Sequence, residues 1–124
     1  MLIALFTILL LGGGGGSGIL DFIADTQDTV KVVVEKDDRR KEMLGTLKAM
    51  KKRANAHGKV LRRSSRDLNR VLADDEVTEA AIDTIWYRYF AQREVYNREM
   101  LDLRFQLRDQ MTREEWEQVF GEDS

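Results

Sequence analysis

A heptad-like row of seam positions runs from Ile19 to Leu72, and no proline anywhere in the chain interrupts it. The row steps by four and three through Ile19, Ile23, Thr26, Val30, Val33, Asp37, Arg40, Leu44, Leu47, Lys51, Ala54, Gly58, Leu61, Ser65, Leu68 and Leu72. Ten of these sixteen positions are apolar. A period near 3.5 is the signature of a helix packing along one seam. The polar positions Asp37 and Arg40 fall inside the charged run 35–42, where a bend, a loss of pairing or a boundary between stalk and head is expected. Gly45 and Gly58 each weaken a helix by up to about 1 kcal/mol relative to alanine. Gly58 lies on the seam, where it also permits close approach of a second helix.

A second row runs through Ile82, Trp86, Tyr89, Arg93, Tyr96, Met100, Leu103 and Leu107, flanked by Ile85, Phe90, Leu101 and Phe105. Between the rows, Ala73-Asp74-Asp75-Glu76 reads as a turn whose aspartates cap the following helix. Glu76 and Glu79 suit the positive end of that helix's dipole. Two amphipathic helices with a short connection favour an antiparallel hairpin. Thr112-Arg113-Glu114-Glu115 is a capping box, and Met111 with Trp116 is the matching hydrophobic staple. A short helix from Arg113 to Phe120, ended by Gly121, should close the open end of the hairpin.

At 1.5 Å per residue, a first helix from Ile19 to Leu72 would span about 80 Å, and a second from Val77 to Met111 about 50 Å. The return helix therefore reaches back to about residue 40. On this reading residues 21–38 form a helical stalk, free within one chain or paired with another copy, and 39–124 form the hairpin with its short C-terminal helix. Two helices alone bury little core, so a dimer or a larger partner is expected.

Ahead of the rows, Met1–Leu11 carries no charged side chain, and five glycines follow at Gly12–Gly16. A bilayer-spanning helix needs about 20 mostly apolar residues, which 1–20 supplies if the glycines are included. Small residues four apart, such as Gly12 and Gly16, would let two spans approach closely. The competing reading is a cleaved export signal, although no Lys or Arg precedes the apolar core and no A-x-A pattern follows it. The expected fold class is therefore all-α: an N-terminal membrane or export segment, a long antiparallel helical hairpin and a short C-terminal helix. The expected location is a bacterial-type cell envelope, anchored to the inner membrane with the C-terminal body outside the cytoplasm. Cleavage would instead leave a soluble periplasmic protein.

Catalytic and cofactor chemistry finds little to work with. There is no cysteine, which excludes disulfides, cysteine zinc sites and an acylated lipoprotein anchor, and there is one histidine, His57. The glycine run lacks the Lys-Ser/Thr of a phosphate-binding loop. Met43, Met50 and His57 share a helical stripe, but at a spacing of about 10 Å one chain cannot bring all three to one ion. The plain reading is two core methionines and an exposed histidine. The chain is expected not to be an enzyme and to need no metal or cofactor.

Charge is distributed unevenly. From Lys48 to Arg70 there are nine Lys/Arg and one acid; from Ala73 to Ser124 there are six Arg and fourteen acids. The basic residues are Lys48, Lys51, Lys52, Arg53, Lys59, Arg62, Arg63, Arg66 and Arg70. They would pair with the acidic second helix or, in a cytoplasm-facing membrane protein, present a basic face to an anionic partner such as lipid head groups or nucleic acid. No aromatic residue is interleaved for base stacking, so nucleic acid is the less favoured partner.

Met111-Thr112-Arg113-Glu114-Glu115 also looks like one degenerate copy of the Leu-Thr-x-x-Gln motif of Spy/CpxP-like periplasmic proteins, with Met for Leu and Glu for Gln. That resemblance implies a cradle-shaped dimer with a stress-chaperone or metal-stress-sensing role. The leading expectation from the residues is different: a small membrane-anchored envelope protein that associates with itself or with another protein through its helices.

Overall fold

The computed structural model of the chain describes residues 17–121. These residues are all-helical apart from the connecting turns: α1 (Ser17–Val33), α2 (Asp38–Leu72), α3 (Glu79–Gln110) and α4 (Arg113–Phe120). Among the described residues, no helix is long and apolar enough to cross a membrane. Most of the 1–20 segment lies outside the described residues. Its last four residues belong to α1, and Ile19 is buried in the protein core.

The first helix expected from the sequence is two helices. α1 ends at Val33, and the Val34 N–H still reaches the Val30 carbonyl at 2.9 Å. Asp37 is extended and caps α2, its carboxylate accepting from the Arg40 N–H at 3.0 Å. A charged, solvated stretch followed by an Asp cap is a strong local stop and restart. The seam row continues in step across this break, and so the sequence pattern reads as one rod.

The break reverses the chain. The Arg40 guanidinium donates to the Lys31 carbonyl at 3.0 Å, and Ile23 and Thr26 share a small cavity with Leu47 and Met50. α1 therefore runs antiparallel to α2 and packs on both α2 and α4. The expected stalk at 21–38 is corrected accordingly. Ile19, Ile23, Thr26, Val30 and Val34 are buried within the same chain. The physical reason is the apolar groove that α2 and α3 leave along one side, which α1 fills.

α2 and α3 form the expected antiparallel hairpin. Its register is fixed by Arg53 against Glu99, His57 against Tyr96, and Thr46 donating to the Gln110 side chain at 2.9 Å. The connection differs in detail from the reading above. Asp74 closes the turn by accepting from the Glu76 N–H at 3.0 Å. The cap of α3 is Thr78, whose hydroxyl accepts from the Ala81 N–H at 3.2 Å.

The capping box of α4 is present. Thr112 accepts from the Glu115 N–H at 3.1 Å, and the Thr112 N–H donates to Glu115 at 2.8 Å. The same carboxylate receives Arg39 through two bonds, at 2.7 and 3.0 Å, which ties α4 to the start of α2. Gly121 ends α4 at φ 85°, a conformation that disfavours side chains with a Cβ.

The molecule thus has two unlike ends. At the base, α1, α2, the second half of α3 and α4 enclose Met43, Leu47, Met50, Met100, Leu107 and Phe120. Beyond His57 and Tyr96, α2 and α3 continue as a two-helix tip in which hydrophobic side chains stay exposed.

Candidate functional site

The tip carries a chain of rings. His57 lies flat on Tyr96, with centroids 4.0 Å apart and planes at 2°, and faces Tyr89 at 6.2 Å. Tyr89 meets Trp86 edge-on at 6.4 Å, and Trp86 stacks on Phe90 at 5.5 Å. Spacings of three and four residues along α3 place these rings side by side. The inner members are buried and the outer ones are not. Trp86 is 41% exposed, Phe90 50% and Tyr87 73%. Beside them Leu61, Ser65, Leu68, Ile85, Trp86 and Tyr89 line a recess of about 80 Å³.

His57 is therefore not the exposed histidine expected from its place in a basic helix. Its burial against Tyr96 pushes its pKa below the ordinary 6.5, and the nearby Arg93 and Arg53 charges push it the same way. Its Nε2 atom has no hydrogen-bond partner among the described residues. Burial also raises the Tyr96 phenol, while Arg53 opposes that shift. Met43 and Met50 are fully buried core residues.

The nine basic residues do not act as a group toward α3. Arg53 points across the hairpin to Glu99, and Arg70 pairs with Asp67 on its own helix at 3.4 Å. The other seven are exposed and make no ion pair among the described residues. The expected pairing of the basic block with the acidic helix is thus corrected to a single cross-hairpin pair from that block. The reason is rotational. At 100° per residue, Arg53 faces α3, whereas the other eight fall within an arc of about 120° on the side of α2 turned away from it. They form a ridge about 33 Å long, from Lys48 to Arg70.

One buried cation escaped the sequence pattern. Arg104 is buried, its guanidinium 5.4 Å from the Trp116 ring centroid and 5.2 Å from that of Phe105. Desolvation lowers its pKa from 12.5, and the charge of Arg108 adds to the effect. The signal was available, because Arg104 follows Met100 by four residues and so shares its inward face. Comparison with protein-family models, with curated proteins and with solved structures finds no match.

Proposed function

We propose that this protein is a non-catalytic, membrane-associated binding protein of a bacterial-type cell envelope. The apolar segment ahead of α1 attaches it to the membrane, and the tip of the hairpin binds a partner protein or a second copy. The observation that carries this reading is the aromatic surface of Trp86, Tyr87 and Phe90, left open on an otherwise charged hairpin. Large rings half exposed at one end of a helical pair suit a binding surface, because Trp and Tyr are enriched among the few residues that dominate interface energy. The antiparallel course of α1 supports the same reading, since the N-terminal end of α1 is the end nearer the tip. The membrane attachment falls on the segment before α1, because Ile19 is needed in the protein core.

A second reading is favoured by the basic ridge. Seven exposed cations without ion-pair partners among the described residues suit a surface of anionic lipid, to which each Lys or Arg near the membrane adds roughly 1 kcal/mol. Flotation of the full chain with phosphatidylcholine vesicles, with and without phosphatidylglycerol, tests both. Flotation with neutral vesicles that Arg62→Glu/Arg66→Glu leaves unchanged supports attachment by the apolar segment. Flotation that needs phosphatidylglycerol and is lost in that double variant supports the ridge instead. A chain that floats with neither vesicle refutes membrane association. The tip is tested separately by Trp86→Ala/Phe90→Ala, which should lower the sedimentation mass or abolish recovery of a crosslinked partner from envelope extracts.

A further inference from the structure

The face of α3 that carries the exposed rings has an ordered charge pattern. At 100° per residue, six side chains between Glu79 and Asn97 fall within an arc of about 80° centred between Trp86 and Phe90. They are Glu79, Asp83, Trp86, Phe90, Arg93 and Asn97. In chain order the face reads acid, acid, ring, ring, base, amide. Glu79 and Asp83 are exposed and make no ion pair among the described residues. Such a face is complementary to itself when two copies run in opposite directions. With the midpoint at Arg88, Trp86 meets Phe90, Asp83 meets Arg93 and Glu79 meets Asn97, each pairing occurring twice. Two copies running in the same direction would instead set acid against acid.

We infer that the partner at the tip is a second copy of this chain, packed antiparallel about a two-fold axis level with Arg88. The inference rests on the reading of the tip as a binding surface and names its occupant. An isologous dimer requires one patch that matches itself after rotation, and this face does. Arg93 keeps whatever contacts it makes within its own chain, since a guanidinium carries five donors. The neighbouring helix fits the same axis. His57 against Tyr96 and Arg53 against Glu99 set the hairpin register, which brings residues 64 and 65 level with Arg88. Ser65 lines the recess beside Trp86, so it lies at the axis opposite Ser65 of the second copy, where a small side chain lets the two α2 helices approach. The pair of tips then forms a four-helix bundle that closes both recesses. The overlap from Glu79 to Asn97 is about 27 Å long. It stops just short of the level of Ile19, because Ile23 shares a cavity with Met50 and Ile19 lies one turn nearer the tip, beside Ala54.

The absence of cysteine makes the register directly testable in the full chain, held in detergent. Ser65→Cys should form a disulfide between two molecules on mild oxidation. Leu72→Cys should not, because seven residues on either side of the axis leave the two copies about 21 Å apart. Arg63→Cys, on the ridge side, should not link either. Asp83→Arg sets like charges together twice and should weaken the dimer about tenfold in sedimentation equilibrium. Arg93→Asp should do the same, and the two combined should restore it. A chain that stays monomeric, or that links through position 72 as readily as through 65, overturns the inference. A combined variant no tighter than either single one overturns the register, provided circular dichroism shows all three folded. The broader reading fails separately. If the chain is monomeric and Trp86→Ala/Phe90→Ala still abolishes a crosslinked partner, this inference falls and the tip remains a binding surface. If the chain is monomeric and that double variant changes nothing, both fall.

Discussion

Ile23→Ala is the sharpest test of the reversal at 34–37, because a free stalk would not notice it. Ile23 is 1% exposed, between Leu47, Met50 and Phe120. The substitution removes three buried carbons, about 2.4 kcal/mol at about 0.8 kcal/mol per group. The cavity left behind adds to this, and measured Ile-to-Ala losses of roughly 2–5 kcal/mol bracket the sum. A loss of about 3 kcal/mol is a large share of the roughly 5–15 kcal/mol that holds a domain together. It should lower the melting temperature by about 10–20 °C. The control lies on the same helix. Val32 is 86% exposed, so Val32→Ala should stay within about 0.5 kcal/mol of the parent. Urea titrations followed by far-ultraviolet circular dichroism give both values, and repeating them at two protein concentrations shows whether the lost contact is within one chain. If Ile23→Ala and Val32→Ala have the same small effect, α1 does not pack as described. If the loss appears at high concentration alone, its partner is another molecule.

Other perturbations probe separate joints. Thr112→Ala breaks the capping box of α4 and should cost about 1 kcal/mol in the same titration, whereas Thr29→Ala, half-buried on α1 with its hydroxyl bonded only to the Asp25 carbonyl of its own helix, should cost far less. The Arg39 guanidinium and the Thr112 bonds hold the Glu115 carboxyl at about 2, well below its ordinary 4.5. A depressed carboxyl pKa stabilises the fold above the ordinary value, and that stability is lost as pH falls from 4.5 toward 2. Glu115→Gln should therefore be less stable than the parent at neutral pH, with the difference vanishing in a melting series taken down through that window. His57 has the same sign for a different reason. Burial disfavours its cation, so stability is full above 6.5 and declines as pH falls below it. His57→Phe keeps a ring on Tyr96, removes the titration, and should flatten the melting temperature between pH 6.5 and 5.

Both helix rows, the hairpin turn and the C-terminal box were legible in the sequence because each depends on local spacing. Thr112 and Glu115 satisfy one another across three residues, and no distant partner can change that. The reversal at 34–37 was not legible, since the row Val30, Val33, Asp37, Arg40 keeps its period through the break. Periodicity reports which face is apolar and not which way the chain travels. Asp37 was the available signal, as an N-cap residue followed by a new run of helix formers. His57 was misjudged because its neighbours Asn55 and Lys59 are polar. Its burial comes from Tyr96, 39 positions away in the chain. The basic block was read from its total charge, whereas the fold sorts those residues by angle and sends Arg53 alone toward α3.

That sorting explains why the tip has a distinct chemical character on each side. The cations occupy the back of α2, remote from both helices that pack on it, so they cost the fold little and hold no core together. The rings occupy the front of α3 and exceed what two helices can bury. Tyr96 and His57 shield each other, Tyr89 is half covered, and Trp86 and Phe90 are left to whatever comes next. In the base the same front is closed by Phe22, Ile23 and Phe120, with Phe22 and Phe120 stacked at 6.2 Å. A chain selected for stability alone would need no Trp and Phe on an uncovered helix face.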